Sequence, residues 1–238
     1  MNFTVEEWQA LRLSAIVASV ATGCGLPLAT ALGWVLARKQ FAGKWLVEAL
    51  VQLPLILPPV VPGFLLLLLF GTRGPVGQWL QENFDVVVAF STSGAVLAAT
   101  VMSFPLMVQP IRLAFRLADR RLDLAAWTLG CTPWQTFYRV TLPLAAPGIL
   151  GGAVLGFSRC LGEFGATMAF VGNIPGETRT LPLALYSALQ VPGGDIPALR
   201  IALLSMGLAL LALMLNAALT QRLERRLGLQ HETREPRE

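Results

Sequence analysis

The sequence predicts an all-α, polytopic membrane protein with five transmembrane helices. Of its 238 residues, 55% are hydrophobic and only 13% are charged, and the mean hydropathy is +0.62. A soluble domain carries about 25% charged residues. The apolar residues cluster into five uncharged runs, each near or above the ~20 residues that a helix needs to cross a bilayer. These runs cover residues 13–37, 49–72, 86–111, 140–158 and 201–221. None alternates with the period of two typical of a transmembrane β-barrel.

The first run is a plain apolar span, whereas the second is rich in proline. Pro54, Pro58, Pro59 and Pro62 fall within nine residues. Proline removes a backbone donor and kinks a helix, and such breaks persist in lipid only where protein or a water-filled cavity satisfies the backbone. We therefore expect a broken helix at Pro58 and Pro59 that lines a pore or gate. A kinked packing helix is the alternative.

The third and fourth runs carry features that help helices to bend and pack. Pro105 and Pro110 should bend the third run near one end, and Ser103 is a polar candidate for the translocation path. The fourth run places glycines at positions 148, 152 and 156. Small residues at this spacing let two helix backbones approach closely in a membrane, so we expect a packing face rather than a ligand site.

A charged pair and short apolar segments follow the fourth run. Arg159 and Glu163 are four residues apart and can share one helix face. They form either an interfacial ion pair or part of a gate, because a charge at bilayer depth is costly. Residues 164–172 could form a re-entrant segment, or a sixth span that would invert the C-terminus. Residues 181–189 predict a short helix at the outer surface. We assign residues 1–221 to the membrane domain and 222–238 to a charged tail.

Basic residues predict the orientation. With five spans, one side of the membrane receives 13 of the 18 Lys and Arg residues, and the basic-rich side is normally cytoplasmic. The N-terminus should then lie outside and the C-terminus inside. The polar segment 117–143 should lie in the cytoplasm.

This cytoplasmic segment predicts a helix-turn-helix. Residues 119–130 give an amphipathic helix with one apolar face (Leu122, Ala125, Ala126, Leu129) and a wetter side (Arg120, Arg121, Asp123). Gly130 should end this helix. Thr132 and Gln135 match the capping box of a second helix that has proline at its first position. Such a short apolar unit needs a partner surface, and a groove on a soluble protein is a sharper hypothesis than the bilayer surface.

The sequence contains no recognisable catalytic, cofactor or metal site. Walker A, H-E-x-x-H and G-x-S-x-G motifs are all absent. The cysteines at 24, 131 and 160 are too few and too scattered for a metal site or disulfide framework, and the lone His231 lies in the tail. A transporter with this sequence must use either an ion gradient or an ATPase on another chain.

The cytoplasmic segment resembles the EAA loop of bacterial ABC-importer permeases. The resemblance rests on Leu124-Ala125-Ala126, then Gly130, and then Leu142-Pro143. The family pattern begins with Glu, whereas this chain has Leu124 preceded by Asp123. Further segments, including LVEALVQLPLILPPVVPGFLLLLLFG and LGEFGATMAFVGNIPGETRTLPLALYSALQ, are similar to the molybdate-transport permeases. The resemblance covers most of residues 48–195.

This resemblance implies a pore-forming subunit of an ATP-driven importer in the bacterial inner membrane. Its expected partners are a second permease copy, a cytoplasmic ATPase dimer that holds ATP and Mg²⁺, and a periplasmic molybdate-binding protein. The coupling contacts implied are Asp123, Leu124, Ala125, Ala126, Gly130 and Trp134. The path or gate candidates remain Pro58, Pro59, Ser103, Arg159 and Glu163.

Three alternatives stay open at this stage. The cargo could be tungstate, or the chain could be a sulfate or thiosulfate permease, since those permeases share the LGEFG-type segment. A gradient-driven transporter would work without an ATPase and would be expected to show inverted repeats. An intramembrane enzyme would need paired acids or a nucleophile with its base inside the spans, and neither is evident.

Overall fold

The computed structural model describes residues 4–226, and the regular structure in this range is entirely helical. The helices are α1 Val5–Arg38, α2 Lys44–Ile56, α3 Val60–Phe70, α4 Pro75–Phe84, α5 Thr92–Leu117, α6 Arg120–Thr128, α7 Pro133–Thr136, α8 Leu142–Leu161, α9 Gly165–Val171, α10 Leu181–Leu189 and α11 Asp195–Arg226, with a π-helical turn at Phe137–Thr141 between α7 and α8. Most of the predicted tail, including His231, lies outside the described residues, and the division at residue 221 stays a prediction.

Four continuous helical elements within residues 4–226 are long and apolar enough to cross a membrane. They are α1, α5, the continuous unit Pro133–Leu161 and the apolar part of α11, Asp195–Leu215. The second predicted span is instead the pair α2 and α3, which bend by 114° at the break between them. The break lies at residues 57–59, which include Pro58 and Pro59, as the prolines predicted.

The two helices of the bent pair lie beside different parts of the bundle. In α2, Glu48 accepts a 2.6 Å hydrogen bond from Arg112, close to the Leu117 end of α5. In α3, Leu66 belongs to a buried cluster that also contains Ala95 of α5 and Ala166 of α9. With its 114° bend at residues 57–59, the pair is a broken span or a re-entrant loop rather than one straight crossing.

The sixth span that the sequence left open does not form. Residues 164–172 contain only the seven-residue helix α9, which is about 10 Å long and too short to cross 30 Å of hydrocarbon. α9 is mostly buried and packs against α3 and the start of α5. The short helix predicted at 181–189 is present as α10.

The glycine stripe of α8 is a packing face against α5, as its spacing predicted. A Cβ atom built on Gly152 would lie 2.8 Å from the Met107 carbonyl oxygen, and those on Gly148 and Gly156 would overlap Ala114 and Met107. These close approaches put α5 at the centre of the bundle, between α1 and α8. Since real Cβ atoms do not come so near a backbone oxygen, only glycine fits at position 152.

We expect Gly152→Leu to destabilise the permease by about 1–3 kcal/mol, the usual cost of overpacking a core. The matched control is Gly151→Leu, because a Cβ at Gly151 meets nothing within 4 Å and replacing a helical glycine with leucine favours the helix. Thermal unfolding of the two purified variants in the same detergent checks this. Equal unfolding temperatures would contradict the packing assignment.

Candidate coupling surface and translocation elements

The predicted helix-turn-helix is present, with its local signals in place. The Asp119 side chain accepts a hydrogen bond from the Arg121 amide at 2.9 Å and caps α6. Gly130 ends this turn in the left-handed region, with φ of +86°. Thr132 and Gln135 form the expected capping box at the start of α7.

One feature of this segment differs from the prediction. The second helix is not a separate cytoplasmic helix, because α7 passes through the π-helical turn directly into α8 and forms the first turns of a 29-residue membrane unit. A π-helical insertion inside an α-helix often marks a functional site. Displacement of the segment would therefore act on α8 without an intervening loop.

Large apolar side chains are exposed on this end of the molecule. Leu129 is 85% exposed and Trp134 is 72% exposed. We call the exposed apolar and small residues of this segment the coupling surface. It comprises Leu124, Ala125, Trp127, Leu129, Gly130, Trp134 and Tyr138. A concentration of exposed apolar side chains of this kind marks an interaction site.

Two of the coupling candidates face their own chain instead. Ala126 is only 7% exposed. The Asp123 side chain is 18% exposed and lies 3.6 Å from Arg38 of α1, and its other oxygen accepts a 2.8 Å hydrogen bond from Thr141. The assignment of Asp123 to the wetter side of the helix was therefore wrong. The carboxylate satisfies a guanidinium on α1, so it holds the coupling segment in position.

Arg38 joins the end of α1 to the whole segment. It donates to the Ala118 carbonyl at 3.2 Å, and its own carbonyl accepts from Arg120 at 3.2 Å. An aromatic contact adds to this link, since Phe137 of the π-helical turn lies edge-on to Trp34 with ring centroids 5.5 Å apart. The roles of Arg38, Thr141 and Phe137 could not be predicted from the sequence, because each contacts a residue at least 18 positions away along the chain. Basic residues at the ends of spans and acidic residues in later cytoplasmic segments are common. The sequence therefore does not indicate which of them form a pair.

Most of the gate candidates lie near one another at the other end of α8. Glu163 is 2% exposed, and Arg159 pairs with it at 2.6 Å. The second Glu163 oxygen accepts from the Ala166 amide at 2.8 Å, which holds the start of α9. A Cβ on Gly165 would lie 2.6 Å from the Pro59 Cβ atom, so the break between α2 and α3 rests on α9.

The remaining candidates differ in exposure. Pro58 is exposed on this chain at the same break, as a lining residue would be. Ser103 is fully buried inside the bundle and donates to the Thr100 carbonyl at 3.2 Å. This burial does not favour Ser103 as a lining residue. The sequence could not show whether Ser103 lines a pore or is buried between helices, because a serine within an apolar run is compatible with both positions.

The ion pair lies at the end of α8. Arg159 is in the last turn of this helix, and Glu163 follows its C-cap residue, Gly162. Cys160, next to Arg159, donates to the Ala99 carbonyl of α5 at 3.5 Å. The buried Glu163 carboxylate is tolerated because Arg159 neutralises it and because it also accepts a backbone hydrogen bond.

Comparison with known proteins identifies the family. The model of the family described as "Binding-protein-dependent transport system inner membrane component" matches residues 29–225. The chain belongs to this family. It is a multi-pass permease subunit of an ABC transporter, and the predicted all-α fold is confirmed.

Individual relatives and a solved structure agree with this assignment. The molybdenum transport system permease protein ModB of Escherichia coli (strain K12) is 50% identical over 228 residues, 96% of this chain and 100% of that protein. The probable sulfate transport system permease protein cysT of Nephroselmis olivacea is 36% identical over 74% of this chain and 61% of that protein. The fold matches a bacterial alginate ABC transporter in complex with an alginate pentasaccharide-bound periplasmic protein, with a TM-score of 0.72, 19% identity, and coverage of 94% of this chain and 80% of that one.

Proposed function

We propose that this permease carries molybdate into the cytoplasm, with tungstate as a second cargo. The observation that carries the proposal is the 50% identity to a molybdenum transport permease along 96% of this chain. The sulfate alternative is less favoured, because the sulfate relative is 36% identical and matches 74% of the chain.

The coupling surface is where a separate ATPase subunit docks. An exposed apolar helix face suits insertion into a groove on a partner protein, and Leu124, Ala125, Gly130 and Trp134 supply it. Asp123 holds α6 against α1 through Arg38, and the buried Ala126 packs within the chain. ATP and Mg²⁺ belong to the ATPase, and this chain supplies no residue for their chemistry.

Charge distribution along the bundle supports the proposed orientation. Arg38, Arg112 and Arg120 lie at the coupling end, where Arg38 and Arg120 contact each other through the backbone. At the opposite end, Glu7 pairs with Arg200 at 3.2 Å and Glu6 pairs with Arg179 at 3.5 Å. The end with excess basic residues faces the cytoplasm under the positive-inside rule. The N-terminus of α1 is then outside, and α11 runs inward.

The assembly requires two copies of the chain and a periplasmic binding protein. Two copies related by a two-fold axis are the commonest closed arrangement for identical subunits, and they would place a pore between them. The binding protein delivers the oxyanion to the outer end. We assign no high-affinity anion site to this chain, since tight binding would stall release.

A series of contacts connects the coupling surface with the proposed gate, and motion of the ATPase would pass along it. Movement of the coupling surface acts on α1 through Arg38 and on α8 through the π-helical turn. The far end of α8 carries Arg159, whose ion pair with Glu163 holds α9, and the break at Pro59 rests on α9. We infer that α8 transmits the displacement as a rigid element to the broken span.

Uptake into proteoliposomes tests the proposed function. The permease is reconstituted with its co-purified ATPase and with the binding protein outside, and labelled molybdate, tungstate and sulfate are compared. We expect ATP-dependent molybdate uptake that exceeds sulfate uptake at least about tenfold, a difference of about 1.4 kcal/mol in selection. Uptake driven by an ion gradient without ATP, or a preference for sulfate, would overturn the proposal.

A further inference from the structure

A large apolar groove separates α1 from α8 on the coupling half of the bundle. Its volume is about 940 Å³, and its walls include Leu26, Ala31 and Val35 of α1 and Ala146 and Ile149 of α8. Trp134 and Tyr138 of the coupling surface also line it, so the groove borders the face proposed for the ATPase. The one hydroxyl on the α1 wall, Thr30, already donates to the Leu26 carbonyl at 2.8 Å. The groove therefore requires an apolar occupant.

A smaller polar cleft adjoins this groove at its coupling end. The cleft has a volume of about 510 Å³ and shares Trp34, Pro133 and Phe137 with the groove. Its charged lining consists of Arg38, Lys39, Arg120 and Asp123. Asp123 already pairs with Arg38, so Lys39 and Arg120 leave the cleft with an excess positive charge.

We propose that the groove and cleft together form a binding site for one anionic phospholipid. The acyl chains lie in the groove, and the phosphate lies between Lys39 and Arg120. Basic pockets between helices at the cytoplasmic face suit anionic head groups. Trp34 marks the boundary, because tryptophan favours the membrane–water interface and the Lys39 ammonium lies 5.7 Å from its ring.

The length of the groove fits the acyl chains of one leaflet. Its α1 wall runs from Leu26 to Val35, which is about 13 Å at 1.5 Å per residue. This is roughly half of a 30 Å hydrocarbon core, the depth of one leaflet. The basic residues at its coupling end favour a lipid over an apolar helix of a second copy, because they match an anionic head group. Only the assignment to the cytoplasmic leaflet depends on the proposed orientation.

Native mass spectrometry of the permease–ATPase complex tests the site. Phosphatidylglycerol and phosphatidylcholine with identical acyl chains are offered in equal amounts. We expect at least about fivefold preference for phosphatidylglycerol, because one cation near an anionic lipid contributes about that factor. The double variant Lys39→Gln with Arg120→Gln should lose this preference. Arg121→Gln, which removes a neighbouring exposed charge outside the cleft, should keep it.

Two further variants separate the charge from the groove. Arg120→Lys should retain the preference, because the cation remains. Ala31→Trp fills the groove from its exposed wall and should lower occupancy by both lipids. Equal occupancy of the two lipids in a complex that still takes up molybdate would overturn the lipid site and leave the proposed function standing. A photoreactive side chain at position 31 that labels a second permease copy instead of lipid would also overturn it.

Discussion

Gly130→Val should reduce ATP-dependent molybdate uptake by about 5–30-fold while the permease still inserts and folds. Gly130 has a φ of +86°, a conformation that costs an ordinary residue about 1–2 kcal/mol and a β-branched one more. That energy corresponds to a factor of about 5–30 in an equilibrium. The strain falls on the turn between α6 and α7, so Leu124 and Trp134 can no longer present one surface to the ATPase.

The control for this prediction is Gly130→Asn. Asparagine adopts the left-handed region more readily than other non-glycine residues, and a Cβ at position 130 meets nothing within 4 Å. Asparagine should therefore retain most uptake, even though its side chain is about as large as that of valine. Measurement combines uptake, co-purification of the ATPase and thermal unfolding of the permease. Equal loss of uptake in both variants would indicate a steric rather than a conformational requirement.

Arg159→Met should destabilise the permease by about 3–5 kcal/mol, the usual cost of leaving one member of a buried ion pair uncompensated. The variant leaves Glu163, which is 2% exposed, without its guanidinium partner. The Glu163 side chain also holds the first turn of α9 through the Ala166 amide, so its displacement would loosen the contact between Gly165 and Pro59. We expect a lower unfolding temperature and lower uptake together.

The double variant Arg159→Met with Glu163→Gln should recover most of the stability. Glutamine retains an oxygen that accepts from the Ala166 amide, and no buried charge remains. Thermal unfolding of the wild type, both single variants and the double variant forms a double-mutant cycle. A double variant that is as unstable as Arg159→Met would contradict the pairing account. Recovered stability without recovered uptake would assign the pair a role in gating beyond packing.

Local signals in this chain predicted local structure well. The capping box at Thr132, the stop at Gly130 and the break at Pro58 and Pro59 are present where the sequence placed them, because each depends on residues within a few positions. The glycine spacing in α8 also predicted a packing face, since a stripe of small residues serves few other purposes in lipid. The direction that Asp123 faces was predicted wrongly, because helical periodicity alone assigned it to water.

The sequence by itself determined the membrane class, the break in the second apolar run and the exposed helix-turn unit, because hydropathy, proline and capping act within single segments. The tertiary structure decided which charges are satisfied within the chain. It placed Arg38 against Asp123, 85 positions apart in the chain, and it placed the proline break against the α9 turn that Glu163 holds. These contacts depend on how α1, α8 and α9 pack around α5. Such packing is set by side-chain shape between distant segments, which no single segment encodes.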